Sequence, residues 1–245
     1  MRTLKSTFAV LAACLPLAAL AEPLTFTSGE QRVSLLELYT SEGCSSCPPA
    51  DRWLRALVDD DRLWQEVVPV ALHVDYWDYI GWEDRFASPA YSRRQQDYVR
   101  QGAATQAYTP EFFVDGREWA GWFRNPELDL PGTAAGNLEA SVDENEVSIR
   151  YQPTEDLDSA MVAVVAVLGM GLETEVKAGE NRGRKLQHDF VVLGMQGSTL
   201  RRDGEVHTAS IPLPKVSAET EELSIAIWVK AKDGTEILQS TGGYL

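Results

Sequence analysis

Glu37-Leu-Tyr-Thr-Ser-Glu-Gly-Cys44-Ser-Ser-Cys47-Pro-Pro-Ala-Asp51 is the stretch on which the reading of this chain turns. It sets two thiols three residues apart, after an apolar run at 34–39 that reads as a buried strand and before a helix-like segment. Pro48 and Pro49 suit a first helical turn, where a missing N–H costs nothing. Trp53, Leu54, Leu57 and Val58 then recur at helical spacing as far as Asp59. Sulfurs at i and i+3 around a helix start reach each other, and the unpaired N–H groups there favour a thiolate. The pattern predicts a dithiol that opens and closes. Cys44, nearer water, attacks as thiolate, and Cys47 resolves the mixed disulfide.

Working outward, residues 1–21 read as a cleaved secretory signal. Arg2 and Lys5 make a basic start, 8–20 is apolar, and Ala19-Leu20-Ala21 is a small-x-small cleavage site. Leu11-Ala12-Ala13-Cys14 also fits a lipoprotein cleavage and lipidation site, but the apolar run continues to Leu20, so a lipid anchor ranks second. Removal of the signal takes Cys14 away and leaves Cys44 and Cys47. A loop of two intervening residues constrains the unfolded chain little, so the pair is a poor structural staple. No other stretch nears the roughly 20 apolar residues of a membrane span. With 22 Lys+Arg against 37 Asp+Glu, the net charge of −15 repels phosphate backbones and anionic headgroups and argues against nucleic-acid binding.

Further along, 67–74 reads as a second buried strand, and Ser88-Pro89 opens a helix with Tyr91, Gln95, Tyr98 and Val99 on one face. Asp115-Gly116 between apolar runs predicts a hairpin over 111–119. Strand, Cys-x-x-Cys helix, strand, helix, hairpin: over residues 33–122 this order resembles the thioredoxin-fold proteins. That resemblance implies a cis-proline beside the dithiol at the start of the hairpin. Thr109-Pro110 stands at that position, where it would hold an extended substrate backbone. It also implies a buried acid under the dithiol, for which Glu37 is the candidate, although Glu37 lies seven residues before Cys44 where the related pattern has six.

From Gly132 on, short β-type runs alternate with turn residues. Segments 147–151, 161–168, 190–193, 207–211, 223–229 and 237–239 are six candidate strands, which predict a β-sandwich of immunoglobulin-like type. The expected fold class is therefore α/β plus all-β. A thioredoxin-like domain at 22–124 is followed by a linker at 125–136 and a β-sandwich at 137–245. End to end, the chain resembles an uncharacterised, domain-of-unknown-function family of secreted bacterial proteins with a thioredoxin-like half and a β-rich half. The matching features are 39–51, His73-Val-Asp-Tyr-Trp-Asp78, Tyr108-Thr-Pro110, Gly179-Glu-Asn-Arg-Gly183 and His188-Asp189. The resemblance implies a fold and a secreted or periplasmic compartment, and no substrate.

The function these features predict is an exported thiol–disulfide oxidoreductase acting on protein or small thiols, without a cofactor, recycled by an unidentified redox partner. The β-rich half is expected to supply partner selection or dimer contacts. Neutral Ser45-Ser46 between the cysteines and the negative charge of Glu42 predict a Cys44 thiol of fairly ordinary acidity. Tyr76 and Trp77, at the end of the second strand, are either a substrate rim or packing for the insertion that follows, and packing is the better reading. Two alternatives stay open. His73 with Cys44 and Cys47 would make a soft Cu(I) site, or the chain is a recognition module whose dithiol is vestigial. The charged, glycine-marked loop 179–184 with His188-Asp189 reads as a solvated hairpin or as a contact with the first half.

Overall fold

The structure, a computed structural model, describes residues 23–124, 127–143, 145–155, 157, 159–216, 218 and 220–245. The expected signal at 1–21 and the first two residues of the expected linker, 125 and 126, lie outside them. The first half contributes β1 (Leu24–Thr27), β2 (Ser34–Thr40), α1 (Pro48–Arg55), β3 (Val67–His73), α2 (Pro89–Arg100), β4 (Glu111–Val114) and β5 (Arg117–Glu118). The second half contributes β6 (Asn137–Val142), β7 (Glu146–Gln152), β8 (Met161–Gly169), β9 (Leu172–Glu175) and β10 (Lys185–His188). It continues with β11 (Val191–Thr199), β12 (Arg201–Asp203), β13 (Val206–Pro212), β14 (Leu223–Ala231) and β15 (Ile237–Tyr244).

Local sequence accounts for most of these boundaries. Cys47 is the N-cap of α1, with Pro48 and Pro49 opening the helix, which runs on as a 3-10 turn over Ala56–Asp59. Ser88 caps α2 by accepting the amide of Ala90 at 3.2 Å. Asp115 and Gly116 both take positive φ in the turn between β4 and β5. A Cβ on Gly116 would stand 1.9 Å from the carbonyl oxygen of Thr235, so only glycine fits there.

The tertiary arrangement overturns the expected fold class. The chain is mostly β, with two α-helices among the described residues, and does not form an α/β thioredoxin-like domain followed by a separate sandwich. Instead β15-β14-β8-β11-β3-β2-β4-β5 form one eight-stranded sheet that draws strands from both halves. The seam is parallel pairing of β3 with β11, where Val191 stands opposite Ala71 and the Ala71 amide donates to Phe190 at 2.8 Å. Gln239 of β15 ties the halves again: its carbonyl accepts the Val33 amide at 2.8 Å, and its amide donates to the carbonyls of Gln31 and Gly136.

The physical reason lies in β8 and β14. Ala163 and Val165 face one apolar core with Ile225, Ile227 and Val229, while Val164, Ala166 and Leu168 face another with Ala226 and Trp228. Strands that are apolar on both faces need cover on both faces. On one side that cover is the five-stranded sheet β1-β6-β7-β13-β12, through Leu138, Ala140, Val147, Ile149 and Ile211. On the other, the Arg94 guanidinium of α2 lies over the ring of Trp228. A two-stranded ribbon of β9 and β10 stands apart from both large sheets.

Candidate functional site

The pleat of β2 sorts its side chains before any chemistry is considered. Thr40 donates its hydroxyl to Asp51 of α1 at 2.8 Å, whereas Glu37 accepts Arg94 Nε of α2 at 2.7 Å. Positions an odd number apart on a strand face opposite ways, so α1 and α2 lie on opposite faces and Glu37 points away from the dithiol helix. Glu37 is fully buried. It is held by Arg94 and by the hydroxyls of Tyr98 and Tyr39. The expected role of Glu37 as an acid under the dithiol is thus corrected to that of a buried ion pair beneath the second helix.

Cys44 lies in the turn before α1 and Cys47 caps the helix. Their Cα atoms are 5.5 Å apart and the sulfurs are at disulfide-bonding distance. Thr109-Pro110 is cis, as its sequence position predicts. The carbonyl oxygen of Thr109 sits 3.7 Å from Cys44 Sγ and accepts the Ser46 hydroxyl at 3.4 Å, and that hydroxyl is itself 3.2 Å from Cys44 Sγ. Cys44, Cys47, Thr109 and Pro110 therefore meet in one place. Water access does not follow, however. Both cysteines are 0% exposed, although Ser45 and Ser46 between them face solvent. The expectation of an open Cys44 is corrected.

Two distant segments pack against the dithiol turn and Thr109. Trp77 donates Nε1 to the Thr109 hydroxyl at 2.7 Å, and its Cβ approaches so closely that a Cβ on Gly43 would be 3.0 Å away. Tyr76 donates to Gln95 at 3.1 Å, and burial pushes its phenol up to about 12. Packing, rather than an open rim, is what Tyr76 and Trp77 provide. From the second half, Asn181 Nδ2 donates to the carbonyl oxygens of Glu42 (2.8 Å) and Cys44 (2.9 Å), and the Ser45 amide donates to Glu180 at 3.1 Å. The loop after β9 thus contacts the first half. It does so directly on the dithiol turn.

Beneath that turn is a buried set of titratable groups that the sequence lists in five separate places: Glu42, Asp51, His73, Asp84 and His188. Asp84 Oδ2 meets His73 Nδ1 at 2.7 Å and accepts the Glu42 amide at 2.8 Å. Trp82 Nε1 donates to Glu42 Oε2 at 2.8 Å, and His188 Nε2 stands 3.4 Å from Glu42 Oε1. Burial works against a charged His73, but the charge and hydrogen bond of Asp84, with Asp51 and Glu42, together outweigh it and raise the imidazole above its ordinary value. Burial also opposes ionisation of Asp84, which His73 in turn holds below the usual carboxylate range. Asp51 has no such partner, and burial raises its carboxyl, with His188 and His73 opposing. At the base of the loop, Asp189 accepts Arg55 Nε of α1 at 2.8 Å.

Of the residues in the Cu(I) alternative, His73 has Nδ1 committed to Asp84 and Nε2 without a partner, its ring packs edge-on against Phe86 and His188, and the two sulfurs are at bonding distance from each other. Among the described residues no group of three or more His, Cys, Asp or Glu is placed to hold a metal ion. Sequence reasoning missed Asp84 and the site role of Asn181. Asp84 lies in an irregular insertion with no periodic signal. Asn181 carried a faint one, as the centre of the glycine-bracketed 179–183 motif.

Fold and site together define a mostly β protein whose single described Cys-x-x-Cys pair is buried at a turn that segments of both halves contact. The chain belongs to the family described as protein of unknown function (DUF1223), whose model matches residues 35–230. Two solved structures share the fold. A structural-genomics protein of Agrobacterium tumefaciens is 24% identical, with 87% of this chain and 94% of that one covered and a TM-score of 0.59. HBP35 of Porphyromonas gingivalis is 16% identical, with 89% and 76% covered and a TM-score of 0.63. No curated protein matches this chain. Among the described residues no helix is long and apolar enough to cross a membrane.

Proposed function

We propose that this protein is a thiol–disulfide oxidoreductase that works outside the cytoplasm, exchanging the Cys44–Cys47 disulfide with protein or small-molecule thiols. The observation that carries the reading is the convergence of Cys44, Cys47 and Thr109 on one point, beside a buried cluster of acids and imidazoles. A disulfide closing so short a loop contributes less to folding than one closing a long loop, which leaves chemistry as the better account of two close thiols.

In the oxidising direction a substrate thiolate attacks Cys44 Sγ, the Cys44–Cys47 bond breaks, and Cys47 leaves as thiolate. A second substrate thiol, as its thiolate, then attacks the substrate–Cys44 bond and releases Cys44. The substrate loses two electrons and becomes a disulfide. Cys44 and Cys47 gain those electrons, and the two protons lost by the substrate thiols end on their sulfurs. The same exchanges in reverse reduce a substrate disulfide.

The test is turnover of a dithiol peptide or of insulin disulfides, comparing wild type with Cys44→Ser. Catalysis by wild type alone supports the assignment. Equal, background rates for both proteins sink it.

A further inference from the structure

The sulfurs of a reactive pair must meet their substrate, yet both are sealed here. We propose that residues 179–183 form a hinged strap that closes over the dithiol turn and must lift before Cys44 can react. This inference rests on the reading of Cys44–Cys47 as a redox pair.

Three observations converge on it. First, the strap's side-chain hydrogen bonds fall on the reactive turn itself. Asn181 donates to the carbonyls of Glu42 and Cys44, Glu180 accepts the Ser45 amide, and Gly179 lies close against Ile80 and Trp82. Second, Asn181 is completely buried while Glu180 and Arg182 on either side of it are not. One side chain thus plugs into the turn from an otherwise solvated loop. Third, the strap is carried by β9 and β10, a ribbon of four residue pairs bonded to neither large sheet. The inner face of the ribbon is buried through Leu172, Val176 and Leu186, so the part free to lift is its solvated tip, and a tip held by a few hydrogen bonds opens at low free energy.

Gly179 and Gly183 bracket the strap at φ +71° and +80°, a conformation few other residues adopt. Its ends close on each other through Gly183 N to Val176 O and Val176 N to Arg184 O, so the loop moves as a unit from the ribbon. When it lifts, the carbonyl of Glu42 and the amide of Ser45 lose their partners, and the Cys44 carbonyl keeps only the Cys47 amide. Those are two acceptors and a donor on the backbone beside the disulfide, the groups an extended polypeptide uses to dock. The strap therefore occupies the place of a polypeptide substrate, and competes with it.

The experiment measures the rate at which dithiothreitol reduces the Cys44–Cys47 bond in the full chain, read by thiol alkylation and mass shift. Asn181→Ala removes both donors and should speed reduction about ten-fold or more, from two lost hydrogen bonds. Glu180→Ala, on an exposed side chain, removes the acceptor of the Ser45 amide and should give a smaller acceleration, with faster hydrogen exchange at that amide. Leu138→Ala, in the core under the five-stranded sheet, should lower the melting temperature and leave the reduction rate unchanged, which separates lifting of the strap from general loosening. Equal rates in wild type and Glu180→Ala together with an unaltered Ser45 amide overturn the strap, as do equal rates in wild type and Asn181→Ala. The redox reading fails separately. In that case the variants still speed reduction by dithiothreitol, but no protein in the series turns over a dithiol peptide.

Discussion

Glu111 gives the account its most quantitative prediction. It follows Pro110 directly, and its side chain is fully buried on β4. One oxygen accepts Gln95 Nε2, the same nitrogen that donates to the Tyr108 carbonyl, while Oε1 has no partner. Burial, aided by the charge of Glu118, pushes its carboxyl from 4.5 to about 7, against the opposing hydrogen bonds from Gln95 and the Tyr108 backbone. The rise of about 2.5 units corresponds to about 3 kcal/mol at 1.36 kcal/mol per unit. Because the folded value is the raised one, the proton-dependent stability is fully present below about 4.5. It drains away as the pH climbs through about 7. Glu111→Gln keeps an acceptor for Gln95 and cannot ionise. Urea unfolding of both proteins from about pH 4.5 to about pH 8 should show the variant gaining about 2–3 kcal/mol on wild type across that interval. Any constant cost of the amide moves the whole curve and leaves the slope difference intact. Parallel curves, or a variant that loses ground as the pH rises, would refute the reasoning.

Other outcomes follow from the same geometry. Removing Arg94 (Arg94→Ala) strands a buried carboxylate and should cost about 3–5 kcal/mol in urea unfolding, while the rate of Cys44–Cys47 reduction stays that of wild type. For the His73–Asp84 pair, the raised imidazole contributes stability below 6.5 that is lost as pH rises through its folded value, and the lowered carboxyl contributes above 3.8 and is lost in acid. Asp84→Asn should flatten both limbs in pH-dependent unfolding. Gly116→Ala forces a Cβ against the Thr235 carbonyl at φ +80° and should cost about 2 kcal/mol or more by thermal melting.

Much of the local structure is legible in the sequence. Ser34–Thr40, Val67–His73 and Pro89–Arg100 form where apolar runs and the Ser88-Pro89 cap place them, and Asp115-Gly116 makes its hairpin. The fold class is where the reading goes astray, and 161–168 carries the warning. Met-Val-Ala-Val-Val-Ala-Val-Leu has no polar face, so it belongs in the middle of a layered protein and not in a sandwich with one side in water. Short strands such as Lys185–His188 and Arg201–Asp203 are too charged to stand out from loop. Glu37 is the acid the resemblance implies, at a spacing one residue too long, and neither speaks to the pleat of β2. The residues that close the site are the least legible. Asn181 reaches the Cys44 carbonyl across 137 positions, and Asp84 reaches the Glu42 amide across 42, both from irregular segments where periodicity carries no information.

The most direct measurement is covalent capture. Cys47→Ser leaves Cys44 without its resolving partner, so when the Cys44 thiolate attacks a substrate disulfide one substrate sulfur leaves as thiolate and the other stays attached to Cys44 as a mixed disulfide. Exposed to a dithiol peptide and its oxidised form, or isolated from the oxidising compartment, the variant should carry adducts that dithiothreitol releases and that the double variant Cys44→Ser/Cys47→Ser lacks. A Cys47→Ser protein that stays unmodified with the strap loosened by Asn181→Ala would contradict a role for these sulfurs in thiol–disulfide exchange.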